Sequence, residues 1–484
     1  MKTLRTFWFI LLLTFFFSTR LPAQNEANIW YFGYYCGLDF NTGIPVVLHD
    51  GPTIADLGVA TICDSLGNLL FFTDGIHLFN KNHDIMLNGN DLVLAGVYGR
   101  AIVKWPGRDR LYYVFTAEHP SAYTGFYYSI IDMKLDNGLG AVTQKEIPVE
   151  SAMDAADRVA IVKKENSENV WVIVRKYEED AFAAYLVDEN GFNPNPVLSE
   201  MPYFSHEDWG YIKISYDKKY LISSYHISSE IEICSFNASN GTVEYMYTLE
   251  YPGGVHQTIL GIEFSPDSKY LYVGFTGSSD IDQIYQFDME YIADSATFNN
   301  SGIFAGLGGG FGMQLARDGK IYSTSQSEQI PDDAIGIIHN PWIRGEGCMY
   351  EQNAISMDPG TVRWSLPNIL LDYLLRFEWT GDPCQGYPIQ FKPNFIPTPD
   401  SILWNFDEFA PGSISTELSP TYSFQNPGVH QVKVDVWYPS GRYEHTSREI
   451  EILPSPLPLL GNDTLICNGA SITLNANCDA DFFS

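Results

Sequence analysis

The chain has 484 residues, a formal net charge of −31, 45% hydrophobic residues and 14% aromatic residues. That length suits roughly two or three domains. The acidity repels nucleic acid and anionic lipid and so excludes them as partners, whereas cations, basic partners or bound Ca²⁺ are compatible with it; its plainer use is solubility outside a cell.

Residues 1–23 read as a secretory signal. Lys2 and Arg5 form the charged start, and residues 7–17 form an apolar run too short to span a bilayer. Cleavage is expected after Ala23, with Gln24 leading the mature chain. No cysteine stands at that junction, so a lipid anchor is not expected, and no later segment is long and apolar enough to cross a membrane.

From there the chain is dominated by a strand–turn–strand unit. Its clearest copy is Ile262-Glu263-Phe264-Ser265-Pro266-Asp267-Ser268-Lys269-Tyr270-Leu271-Tyr272-Val273. Apolar residues alternate on both sides of Pro266-Asp267-Ser268, where proline presets φ and aspartate caps its own backbone. The position of Phe264 is matched by Cys63, Val103, Val162, Ile214 and Leu315, spaced roughly 40, 59, 52, 50 and 51 residues apart. All-strand repeats of this size build propeller blades of about four strands. The flanks supply a seventh copy. Ile29-Trp30-Tyr31-Phe32-Gly33 and Pro45-Val46-Val47-Leu48 are strand-like, and Val362-Arg363-Trp364-Ser365-Leu366-Pro367-Asn368 falls one period after Leu315. A blade shared by both flanks would close the ring and remove its open edge.

After Arg376 the pattern changes to short strands and turns that fit a β-sandwich ending near Leu453. Trp404 is its expected core residue, and Asn426-Pro427-Gly428 is a tight turn. Pro454-Ser455-Pro456-Leu457-Pro458 is a stiff linker. Two further strand-like stretches, at 463–467 and 471–476, open another sandwich pattern that stops at Ser484. Two strands cannot bury a core, so the expectation is a fragment or a poorly ordered last segment. The expected fold class is therefore all-β: a seven-bladed β-propeller followed by an immunoglobulin-like sandwich. The expected boundaries are 1–23 signal, 28–377 propeller, 378–453 sandwich, and 454–484 linker with the start of a further sandwich.

Trp404-Asn405-Phe406-Asp407-Glu408 resembles the WDFGD signature of PKD domains. It departs at Asp407, where the family usually has glycine, and at Glu408, where it has aspartate. Tyr422-Ser423-Phe424 through Val436, with its Pro-Gly and alternating valines, resembles the second PKD signature. Asn28-Ile29-Trp30-Tyr31-Phe32-Gly33, Gly37-Leu38-Asp39-Phe40, Leu69-Leu70-Phe71-Phe72-Thr73-Asp74-Gly75 and Tyr128-Ser129-Ile130-Ile131-Asp132-Met133 resemble large secreted proteins of gliding bacteria. In these a propeller precedes PKD and related repeats and a C-terminal sorting domain for type IX secretion. The resemblance implies an extracellular or cell-surface role in adhesion or motility, with no established catalysis and no defined ligand. No sorting domain is visible here, which fits a fragment.

The sequence carries no familiar catalytic motif. There is no Gly-x-Ser-x-Gly elbow and no His-Glu-x-x-His. Gly306-Leu307-Gly308-Gly309-Gly310-Phe311-Gly312 is not followed by a helix, so it reads as a loop before an inner strand rather than a phosphate cradle. The seven cysteines show no framework spacing, no zinc pattern, and a buried thiol at Cys63. No cofactor is expected.

The candidate ligand-binding residues lie where the chain runs into the repeated strands: Arg100 after Gly99, Arg158 after Asp157, then His206, Asp208, Trp209 and His256. The arginines suit a carboxylate ligand or a salt bridge between blades. His206, Asp208 and His256 could hold a metal, or be polar packing between blades. Trp209 and Trp105 could stack on a sugar, or fill the core. The first reading is a non-enzymatic recognition or adhesion protein with an extracellular glycan or protein ligand. The alternatives are a metal-assisted propeller hydrolase acting on a lactone, ester or glycan, and a purely structural spacer.

Overall fold

The computed structural model describes residues 25–454 except 93–98, 109, 119–124, 166, 177–178, 203–208, 227, 229, 250–257, 277–281, 326–331, 375, 396–398, 408–411 and 438–442. Six consecutive antiparallel sheets follow one another from residue 60 to residue 356. Their first strands are Ala60–Cys63, Gly99–Lys104, Ala155–Lys163, Ile212–Ile214, Ile259–Phe264 and Met313–Leu315. Each first strand packs against the first strand of the next sheet, so these strands line a common axis. We number the sheets blades 1 to 6. Cys63, Val103, Val162, Ile214, Phe264 and Leu315, the repeated positions, all lie in these inner strands and are buried. The turn that follows is chemically determined. Ser265 Oγ donates to Asp267 (2.6 Å) and accepts from the Tyr270 backbone (2.9 Å), and Ser215 does the same with Asp217 (2.6 Å) and Tyr220 (3.0 Å).

Blade 7 draws on both flanks of the repeat. Ile29–Phe32, Cys36–Asp39 and Val46–Leu48 form a three-stranded sheet. Its first strand runs opposite to the inner strand of blade 1: the Cys63 amide donates to Glu26, and that of Tyr31 to Thr61 Oγ1. Ile29–Phe32 is therefore a second-position strand. The inner place is taken by residues 361–374. Tyr34 and Thr361 exchange backbone hydrogen bonds of 2.9 Å in both directions. The Trp364 amide then donates to Asp56 of the approach to blade 1 (3.1 Å), and its carbonyl accepts from Thr324 of blade 6 (3.1 Å).

The expectation that residues 362–368 form a blade strand needs correction. Among the described residues they enter no strand ladder, the Tyr34–Thr361 bridge just before them aside, so they take the inner place of blade 7 without regular strand pairing and lean onto the axis. Leu366, Ile369, Leu370, Leu371 and Leu374 are all buried, and so is Asp372 among them, so this segment is buried on more than one face. Such a segment is covered by surrounding strands, not by one neighbour. Asn368 Nδ2 donates to the carbonyls of Arg100 (3.0 Å) and Val159 (2.9 Å) on blades 2 and 3. Further along, Asp372 accepts from the Lys163 amide (2.8 Å) and pairs with Lys218. The segment crosses the ring from one end to the other.

The glycine-rich run allows close approach both to blade 5 and to this segment. A Cβ on Gly274 would sit 2.0 Å from the Gly310 carbonyl oxygen, and one on Gly312 would sit 2.5 Å from that of Trp364. Cys36, Cys63, Cys234 and Cys348 are buried free thiols, and Cys384 is free and partly exposed. Cys467 and Cys478 lie outside the described residues.

Beyond the ring, Arg376–Thr380, Ile389–Asn394 and Thr421–Tyr422 form one sheet; Ser401–Asn405, Ile414–Ser415, Gly428–Trp437 and Tyr443–Ile452 form the other. Their core is separate from that of the ring. Trp404 is fully buried in it against Phe377, Phe391 and Phe406, with ring centroids 5.2 to 5.9 Å apart.

Candidate functional site

Arg100 and Arg158 lie within inner strands, not in the loops before them, and both side chains are buried. Arg100 Nη2 donates to the Gly75 carbonyl of blade 1 at 2.7 Å. Burial brings its guanidinium down to about 10, with Glu118, Glu146 and Asp74 opposing. Arg158 Nη1 donates to the Ser224 carbonyl (2.6 Å) and Ser223 Oγ (3.3 Å) of blade 4, and its guanidinium lies 4.5 Å from the Tyr225 ring. Tyr225 in turn donates to Glu232 (2.7 Å), which pairs with buried Arg175 at 3.4 Å. Both arginines thus join adjacent blades. His206, Asp208 and His256 lie outside the described residues. Trp105 sits at the far end of the blade 2 inner strand, half-buried, with Nε1 donating to the Glu189 carbonyl at 3.2 Å.

Glu118 shares the Arg100 region. It is 1% exposed, and burial pushes its carboxyl up to about 7 despite the opposing charge of Arg100. Folded, it holds its proton to about pH 7; unfolded, it releases it near the ordinary 4.5. The folded state binds more protons inside that window, so this group's contribution to stability is full below it and is lost as pH rises through it. Glu118→Gln cannot titrate. Its stability relative to the parent should therefore rise with pH across the window, as read from urea midpoints at several pH values. A pH-independent difference would refute the assignment.

Trp209 behaves differently from the arginines. It is half-buried just before the inner strand of blade 4 and begins a continuous band of rings. Its ring lies 5.7 Å from His226, which lies 5.9 Å from Phe311, which lies 5.8 Å from Trp364. Arg363 follows, with its guanidinium 4.8 Å from the Trp364 ring and 5.1 Å from the Tyr34 ring. Asp56 holds the end of the band: its Oδ1 accepts from Arg363 Nε at 2.6 Å and from the Tyr34 hydroxyl at 2.9 Å. That bond, with some burial, raises the Tyr34 pKa. The His226 pKa is lowered by burial, and its Nδ1 lies 3.1 Å from the Ile259 carbonyl oxygen.

This band crosses the end of the ring at which the inner strands begin. Beneath it, among the described residues, the segment 361–374 occupies the axis. One cavity of about 30 Å³ is lined by Arg158, Tyr211, Lys213, Gln314 and Asn368. A second, also about 30 Å³, adjoins Glu263 and Leu371. Each holds about one or two waters rather than a sugar ring. Lys213 closes the space by bonding Glu263 and Gln314, both at 2.8 Å. Among the described residues no group of three His, Cys, Asp or Glu gathers to hold a metal, and no helix is long and apolar enough to cross a membrane.

Of the band, Trp209 was legible in the sequence as a candidate, whereas Tyr34, Asp56, His226, Phe311, Arg363 and Trp364 are brought beside it only by the fold. The available signal was the Arg363-Trp364 pair, whose period alone suggested an ordinary blade strand.

The fold and this band define a seven-bladed β-propeller with a filled axis, followed by an immunoglobulin-like sandwich. No protein-family model matches the chain, and no curated protein matches it. Among solved structures, a Lactobacillus plantarum protein is 13% identical, covering 70% of this chain and 98% of its own, with a TM-score of 0.42. The Pseudomonas aeruginosa periplasmic gluconolactonase is 10% identical, covering 71% and 97%, with a TM-score of 0.33. The PKD1 domain of the Vibrio cholerae metalloprotease PrtV is 24% identical, covering 16% of this chain and 94% of its own, with a TM-score of 0.14. These likenesses concern the fold alone.

Proposed function

We propose that the chain is a non-enzymatic secreted or cell-surface recognition protein. The propeller presents the ring band as its ligand site, and the sandwich serves as a spacer or adhesive module. The observation that carries this is the filled axis. Residues 361–374 occupy the channel and end in Arg363 and Trp364 at its mouth. What faces outward there is a surface rich in Trp, Tyr and Arg, the residue types that dominate binding energy at recognition sites. The signal-like residues 1–23 support export. Arg100 and Arg158 support the surface from below by joining blades, and His206 and Asp208 adjoin Trp209 in sequence.

The test is a binding screen on the purified protein, paired with elemental analysis. Trp209→Ala is expected to weaken the ligand found by about tenfold or more while leaving the melting temperature within a few degrees. About one equivalent of bound metal, with a turnover lost on mutating His206, Asp208 or His256, would replace this reading with the metal-assisted hydrolase.

A further inference from the structure

We propose that the ring band takes a neutral glycan. This rests on the recognition role above and names the ligand class for the same site. Three features of the band select it.

The first is its shape. Trp209, His226, Phe311 and Trp364 follow one another at ring separations of 5.7 to 5.9 Å, Phe311 being buried, and Arg363 lies between Trp364 and Tyr34. Trp209, Trp364 and Tyr34 are each half-buried, so each is anchored and still presents some surface. Flat apolar faces with polar edges match the C–H faces and hydroxyl rims of sugar rings.

The second is charge. Arg363 is the cation of the band, and it is already neutralised. Asp56 lies 2.6 Å from its Nε and Asp332 lies 3.8 Å from Nη1. The two aspartate side chains are 43% and 62% exposed, so each keeps oxygens available to accept from hydroxyls. Together with a net charge of −31, this repels uronate and sulfated polymers.

The third is extent. A stable protein interface covers about 800 Å² per partner around an apolar centre. Here the half-buried rings are few, Trp209, His226, Trp364 and Tyr34, and are edged by Asp56 and Asp332. A row of this kind fits an extended chain of sugar units better than a protein face.

The experiment uses the full chain on an array of neutral, uronate-containing and sulfated oligosaccharides, followed by calorimetric titration of the best hit at about 0.05 and 0.5 M salt. The expected result is saturable binding to a neutral oligosaccharide, with affinity changing less than about twofold between the two salts. Trp364→Ala should weaken it by about tenfold or more. Trp364 also belongs to the axial segment, so Trp209→Ala, at the other end of the band, is the second variant; both must keep the parent's cooperative melt. Binding only to uronate or sulfated members, steep salt dependence, or no neutral hit overturns the inference. If a purified protein partner then binds in a Trp209-dependent way, the glycan class fails and the recognition role stands. If nothing binds saturably, both fail.

Discussion

Asp372→Ala is expected to destabilise the propeller by about 3–5 kcal/mol, the cost of removing one partner from a buried pair. Asp372 is 7% exposed and accepts from the Lys163 amide at 2.8 Å as well as from Lys218. Alanine would leave both donors without this acceptor. Burial alone would raise the Asp372 pKa, but Lys218 and Lys163 outweigh it and hold it below the ordinary carboxylate value. The bond therefore contributes fully above that value and is lost as pH falls through the folded value. The alanine variant should show less acid sensitivity than the parent over that range. The release should also be local before it is global: hydrogen exchange across 361–374 should rise first, because this segment lacks the continuous backbone ladder that holds the blade strands. Asp372→Asn keeps an acceptor for the Lys163 amide and should fall between the two. A denaturation midpoint unchanged in Asp372→Ala would show that the axial segment does not hold the ring.

Trp404→Ala is expected to cost the sandwich about 3–5 kcal/mol, most of what a domain of that size has. Trp404 is fully buried, meets Phe377, Phe391 and Phe406, and donates from Nε1 to the Glu417 carbonyl at 3.0 Å. Truncation leaves a cavity and an acceptor without that donor. The sandwich core runs from Phe377 to Ile452 and shares no residue with the ring core, which ends at Leu374. Calorimetry should therefore show the sandwich transition lost or lowered and the ring transition unmoved. A joint fall of both would mean that the two fold as one unit.

The sequence by itself determined the parts whose information is local. The inner strands were legible from alternation around short polar turns, because the hydrogen bonds that shape such a turn are local, spanning two to five residues at Ser265 with Asp267 and Tyr270. Trp404 was legible as a core residue because its neighbours carry a recurring motif. Periodicity pointed to both flanks for blade 7, although residues 362–368 enter it without the strand pairing a period implies. What only the tertiary structure decided is where residues 361–374 go once they arrive. Their apolar residues point to burial but not to an axis, because the axis exists only when seven sheets have closed. Arg100 and Arg158 have sequence neighbours that suit a loop, yet their partners, Gly75 and Ser224, lie 25 and 66 residues away on other blades. The ring band is the extreme case: Arg363 and Asp56, 307 residues apart, become a 2.6 Å pair. A period reports the phase of each strand; only ring closure sets which strand ends meet.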